Sequence, residues 1–104
     1  MKIKCTDEQV KKMAALAINS SIPVGMGILH HKPELVVSLD DLEIREDYAG
    51  KSLSIDYYQG RMVKFHARKF DDETWSFNPD ELNVEYQSWK KDYPSWQHLF
   101  EAIQ

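Results

Sequence analysis

With 104 residues, 42% of them apolar and 12% aromatic, the chain has the material for one hydrophobic core and is too apolar for a disordered segment. Its formal charge of −4 and pI near 5.5 remove the general electrostatic case for nucleic acid or an anionic membrane as partner. A single cysteine, Cys5, excludes an intrachain disulfide and any multi-cysteine zinc site.

Residues 1–104 therefore read as a single compact domain. The start, Met1 to Asp7, carries no apolar leader, and the longest apolar run, Met13 to Ile18, is far too short to span a bilayer. A cytoplasmic location without membrane contact is the expectation. The charge is spread evenly except over Glu34 to Asp47, where six acids face Arg45 alone.

In chain order, Cys5 falls in a segment expected to be a mobile terminus. Thr6-Asp7-Glu8-Gln9 then forms a capping box, with the Thr6 hydroxyl and the Gln9 side chain each serving an orphan N–H. The helix behind it puts Val10, Met13, Ala14, Ala17 and Ile18 on one apolar stripe and ends before Pro23. Between Ile22 and Pro33, Gly25 and Gly27 flank Met26 in a turn or close-packing pattern. Neither a GxGxxG nor a GKS/T spacing is present to cradle a phosphate.

Leu35, Val37 and Leu39 alternate with Val36 and Ser38, the signature of a short strand, and Leu42 and Ile44 follow in a charged connection. The strongest β signal comes next. Leu53, Ile55 and Tyr57 alternate with Ser52, Ser54 and Asp56, and Val63, Phe65 and Ala67 alternate with Lys64, His66 and Arg68. Both strands are apolar at odd positions, so a two-residue Gln59-Gly60 loop would set Ile55 against Lys64. A three-residue loop Tyr58-Gln59-Gly60 avoids this and pairs Ile55 with Val63 and Leu53 with Phe65. A second three-residue loop, Asp71-Asp72-Glu73, sets Ala67 against Phe77 and Lys69 against Trp75. Ser52, Ser54, Asp56, Lys64, His66, Arg68 and Ser76 are left on the other face.

Val84 to Lys91 reads as a short helix, with a strand at Val84 to Tyr86 as the alternative. Pro94 suits the first turn of a closing helix whose stripe is Trp96, Leu99, Phe100 and Ile103, with His98 opposite in solvent. The whole is an α+β fold: an antiparallel sheet of about four strands with the N-terminal and C-terminal helices on its odd face.

No motif for catalysis stands out. His30-His31 near Glu34 lacks the HxH, HExxH or Cys/His spacing of a metal site, and no serine sits in a nucleophile elbow. Asp56 near Lys64 reads as a cross-strand charge pair. No cofactor and no metal are expected, and a non-catalytic protein is favoured over an enzyme. The best binding candidates are His30, Tyr58, Arg61, Lys64, His66 and Arg68, a basic strand face with an aromatic at its edge. In the alternative reading the protein is a small enzyme, or a binder of phosphoryl ligands or single-stranded nucleic acid, that uses this face. Given the acidic balance, this is instead simply a solvated face or one paired with the acidic Glu34 to Asp47 segment. A protein partner or a homo-oligomer is favoured, since Tyr48, Tyr57, Tyr58, Trp75, Trp89 and Trp96 exceed the needs of a small core.

Pro23-Val24-Gly25-Met26-Gly27, Leu29-His30, Asp56 to Lys64, and Tyr86 to Trp89 with Tyr93-Pro94 resemble recurring blocks of small bacterial and phage-borne proteins without assigned function. That resemblance implies a compact intracellular domain, from a phage or mobile element, and nothing about activity. It draws attention to Gly25, Gly27, His30, Tyr57, Arg61 and Lys64. The expected function is a small interaction or regulatory protein.

Overall fold

The computed structural model describes residues 1–23, 34–71, 74–78 and 88–104. It contains β1 (Lys2–Lys4), α1 (Asp7–Ser20), β2 (Arg45–Asp47), β3 (Gly50–Tyr58), β4 (Arg61–Asp71), β5 (Thr74–Asn78) and α2 (Trp96–Ala102), with short 3-10 helices at Leu39–Asp41 and Ser88–Lys91. The five strands form one antiparallel sheet in the order β1-β5-β4-β3-β2. The fold is α+β, as the residue pattern requires. The expectation for Gly25 and Gly27, and the part of the short-helix expectation before Ser88, fall outside the described residues.

Helix α1 starts on the expected capping box. The Gln9 N–H donates to Thr6 Oγ1 at 3.1 Å, and the Thr6 N–H donates to Gln9 Oε1 at 2.8 Å. Val10, Met13, Ala14, Ala17 and Ile18 are fully buried against the sheet. Helix α2 starts two residues after Pro94, because Ser95 takes the N-cap and accepts from the His98 N–H at 3.2 Å.

Trp96 packs on Phe65 and Phe77, with ring centroids 5.4 and 5.2 Å away, and on Trp89 at 4.9 Å. Phe65 also meets Phe77 edge-on at 6.0 Å. Trp75, Trp89 and Trp96 are all core residues, and the Trp89 indole N–H donates to the Val63 carbonyl at 3.0 Å. Three of the six aromatics thought surplus to the core are therefore needed by it. The Ser88 hydroxyl accepts from the Ile22 N–H at 2.8 Å and ties the C-terminal part to the end of α1.

The β3–β4 hairpin corrects the expected register. Its turn is the two-residue Gln59-Gly60, with φ of 47° and 79°, the double left-handed conformation of a type I′ turn. Nothing lies near Gly60 that a Cβ would strike, so glycine serves there through its backbone and not through space. Tyr58 pairs with Arg61 and Tyr57 with Met62. The ladder then shifts, so that Ile55 pairs with Phe65 and Leu53 with Ala67. The parity conflict is resolved inside the strand: Val63 and Lys64 stand opposite Asp56 alone, and Lys64 takes a φ of 51°. The observed pairs differ from the expected ones by two positions, which preserves the faces. Val63, Phe65 and Ala67 are buried, while Tyr57, expected among them, is 61% exposed.

The next hairpin has the expected pairs, Ala67 with Phe77 and Lys69 with Trp75. Asp71 pairs with Thr74 instead of lying in the loop, and the irregularity falls between Lys69 and Asp71.

Two edge strands differ from expectation. Residues 35–39 form no strand; Val36 is 84% exposed, and Leu35, Val37 and Leu39 pack on the core rim without a ladder before the 3-10 helix capped by Ser38. Their alternation records burial of one side and no strand pairing. The edges are instead β2, three exposed charged residues, and β1, where Ile3 is buried between exposed Lys2 and Lys4. The N-terminus is not loose: the Phe77 N–H donates to the Met1 carbonyl at 2.8 Å, and Cys5 is buried.

Candidate functional site

Both helices pack on the odd face of the sheet, and no described helix packs on the other. That outer face is built by strand alternation. One row crosses all five strands: Lys2, Ser76, Arg68, Ser52 and Arg45. Beside it Ser54 pairs with His66, and Asp56 lies toward the hairpin tip.

The basic side chains at the centre of this face are held by carboxylates. Asp56 Oδ1 is 2.9 Å from His66 Nε2 and 3.3 Å from Lys64 Nζ. Both Asp47 oxygens accept from Arg68 Nη2 at 3.3 Å, across from β2. The hydrogen bond with His66 is the largest influence and lowers the Asp56 carboxyl below its ordinary range; partial burial opposes it, and the Lys64 contact adds to the lowering. The Asp56–Lys64 pair and the reach of Arg68 into the acidic Glu34 to Asp47 segment were both readable from the sequence.

Six candidate residues sort into three groups. Lys64, His66 and Arg68 come together on the outer face, each about one-third exposed. Tyr58 and Arg61 pair at the hairpin tip on the core side, where Tyr58 packs on the hydrophobic cluster. His30 lies outside the described residues.

Arg61 is 2% exposed, and its Nη1 donates to the carbonyls of Ile18, Asn19 and Ser21 at 3.1, 3.2 and 3.3 Å. Helix α1 has no basic residue in its last turn, so the hairpin delivers the cation that its carbonyl end attracts. Burial lowers the guanidinium pKa from its ordinary value. This structural duty leaves Arg61 no surface for a ligand.

Among the described residues no serine is joined by a hydrogen bond to a histidine that is itself held by a carboxylate. Ser54 stands across from His66 and near Asp56, but the imidazole bonds to Asp56, and no hydrogen bond joins it to Ser54. A nucleophile without contact to its base is not activated. The Cys5 thiol donates to the Ile3 carbonyl at 3.7 Å, and burial pushes its pKa up to about 11, the opposite of a reactive thiolate. Among the described residues no group of three or more His, Cys, Asp or Glu could hold a metal ion. No described helix is long and apolar enough to cross a membrane.

Lys2 and Arg45 were not read from the sequence as parts of this face, Asp47 was read only as the end of an acidic segment, and Tyr57 was assigned to the apolar face. Alternation about Ile3 signals Lys2, but Arg45 and Asp47 lie on a strand with no apolar position to mark it. Tyr57 is turned outward by a bulge that has no signature of its own.

Two hollows flank the segment 41–43. One, of about 720 Å³, lies between the start of α1 and residues 39–46 and holds Asp7, Glu8, Asp40, Asp41, Glu43 and Glu46 against Lys11 and Lys51. Asp7 is held there by Lys51 at 2.8 Å and Lys69 at 3.6 Å. The other, of about 390 Å³, runs along β3. Comparison with protein-family models, curated proteins and solved structures returns no match, so the site is read from its own chemistry.

Proposed function

We propose that the protein is a small interaction or regulatory domain, acting in the cytosol through contact with another protein and carried by a phage or mobile element. The observation that supports this reading is a five-stranded sheet whose outer face carries cations already paired to Asp47 and Asp56. A phosphate-binding face presents unneutralised cations to its ligand, whereas a mixed, internally paired surface beside exposed tyrosines suits a polar protein interface. Tyr57 at the hairpin tip and the fully exposed Tyr48 after β2 supply those tyrosines.

The test is recovery of partners from lysate, with light scattering for self-association, on the wild type and on Ser54→Arg/Tyr57→Ala. Both altered side chains are exposed. The reading predicts a defined complex or dimer that the double variant loses. A monomer recovering the same proteins in both forms contradicts it. Binding of oligonucleotides at low salt, where electrostatic attachment is strongest, would replace it with the nucleic-acid alternative.

A further inference from the structure

The edge of β3 is only partly covered. Strand β2 pairs with Gly50, Lys51 and Ser52, so from Leu53 to Tyr58 that edge meets no strand among the described residues. Alternate residues of an uncovered edge direct N–H and C=O groups out of the sheet, ready to accept another strand. Segment 41–43 runs alongside and closes the groove of about 390 Å³. Leu42, Leu53 and Ile55, all buried, give it an apolar floor. Asp41 and Glu43 against Arg45 leave its wall net acidic, while Asp56 is already held by Lys64 and His66.

We infer that this groove accepts an extended basic segment of a partner protein, added to the sheet as a strand along Leu53–Tyr58. The inference rests on the interaction reading above and names its partner chemistry. Six residues of edge span about 20 Å, room for a hexapeptide. Alternation gives such a peptide two rows: one toward Ile55 and Leu42, which takes apolar side chains, and one toward the wall of Asp41 and Glu43, which takes Lys or Arg. A second copy of this chain is the poorer occupant. Pairing β3 with β3 would bring two sets of Asp41 and Glu43 together, and juxtaposed like charges are destabilising.

The test uses the full ¹⁵N-labelled chain titrated with acetyl-(Lys-Val)3-amide and, separately, acetyl-(Glu-Val)3-amide. The expected result is amide shifts and slowed exchange at Leu53–Tyr58 and residues 41–43 with the lysine peptide and none with the glutamate peptide. Asp41→Lys/Glu43→Lys, at two exposed positions, is expected to weaken binding about tenfold. Absence of shifts at millimolar peptide, equal binding of both peptides, unchanged affinity in the double variant, or a β3-paired dimer by light scattering would each overturn the assignment. If the groove fails while Ser54→Arg/Tyr57→Ala still loses its partner, the strand-addition site falls and the interaction reading stands. Failure of both removes the reading itself.

Discussion

Replacing Arg61 by Met keeps an apolar stem in the core and removes the guanidinium from the end of α1. Ile18 O keeps a donor, the Ser21 N–H at 3.1 Å, but the Asn19 and Ser21 carbonyls lose the Arg61 contacts at 3.2 and 3.3 Å. Two orphaned carbonyls at about 1–3 kcal/mol each put the gross loss at about 2–6 kcal/mol. Relief from burying a charge returns part of this, which leaves a net cost of about 2–4 kcal/mol. Urea unfolding followed by fluorescence of the buried Trp75, Trp89 and Trp96 reads it directly. With a slope of roughly 1–1.5 kcal/mol per molar, the midpoint should fall by about 2 M. Arg45→Met, at an exposed position of β2, is the control and should cost within about 0.5 kcal/mol. Equal effects from the two variants would refute the capping argument, because they would mean that the guanidinium is not what satisfies the helix end.

Phe65→Ala should cost about 3–5 kcal/mol in the same assay, whereas His66→Ala, on the outer face, should stay within about 0.5 kcal/mol; equal losses would mean that both faces of the sheet are packed. Alkylation of Cys5 at pH 8 should be negligible in the folded protein and rapid in urea, given a thiol pushed up to about 11 by burial. Asp7 is lowered from 3.8, first by its hydrogen bond with Lys51, so the unfolded chain binds more protons across that window. Stability from this contact is complete above the unfolded pKa and is lost as pH falls through the folded one. Asp7→Asn should therefore flatten the stability profile below about pH 4, and an unchanged acid slope would count against the pairing.

Much of this architecture was readable from residue order because burial leaves periodic marks. Thr6 and Gln9 announced α1, and odd positions from Val63 to Ala67 and at Trp75 and Phe77 announced the core face. The face survived even where the pairing did not, since a displacement of two residues returns each side chain to the same side of the sheet. What escaped lacks periodicity. Strand β2 is three charged residues held by backbone hydrogen bonds, β1 offers one apolar side chain, and residues 35–39 alternate while pairing with nothing. Arg61 looked like a surface cation because its three carbonyl acceptors lie about forty residues earlier, at a helix end that only folding brings near. The bulge at Lys64 was invisible for a related reason: several local geometries solve the same parity conflict, and tertiary packing chooses among them.

The central claim is that the outer face of the sheet meets a protein. A photo-crosslinking amino acid placed at Ser54, in the middle of that face, tests it most directly when the protein is expressed in bacterial cells. The account predicts a discrete protein adduct at Ser54 that is lost with Tyr57→Ala and is not formed from a probe at exposed Glu101 on α2. The same adducts from both probe positions, or none from Ser54, would contradict it.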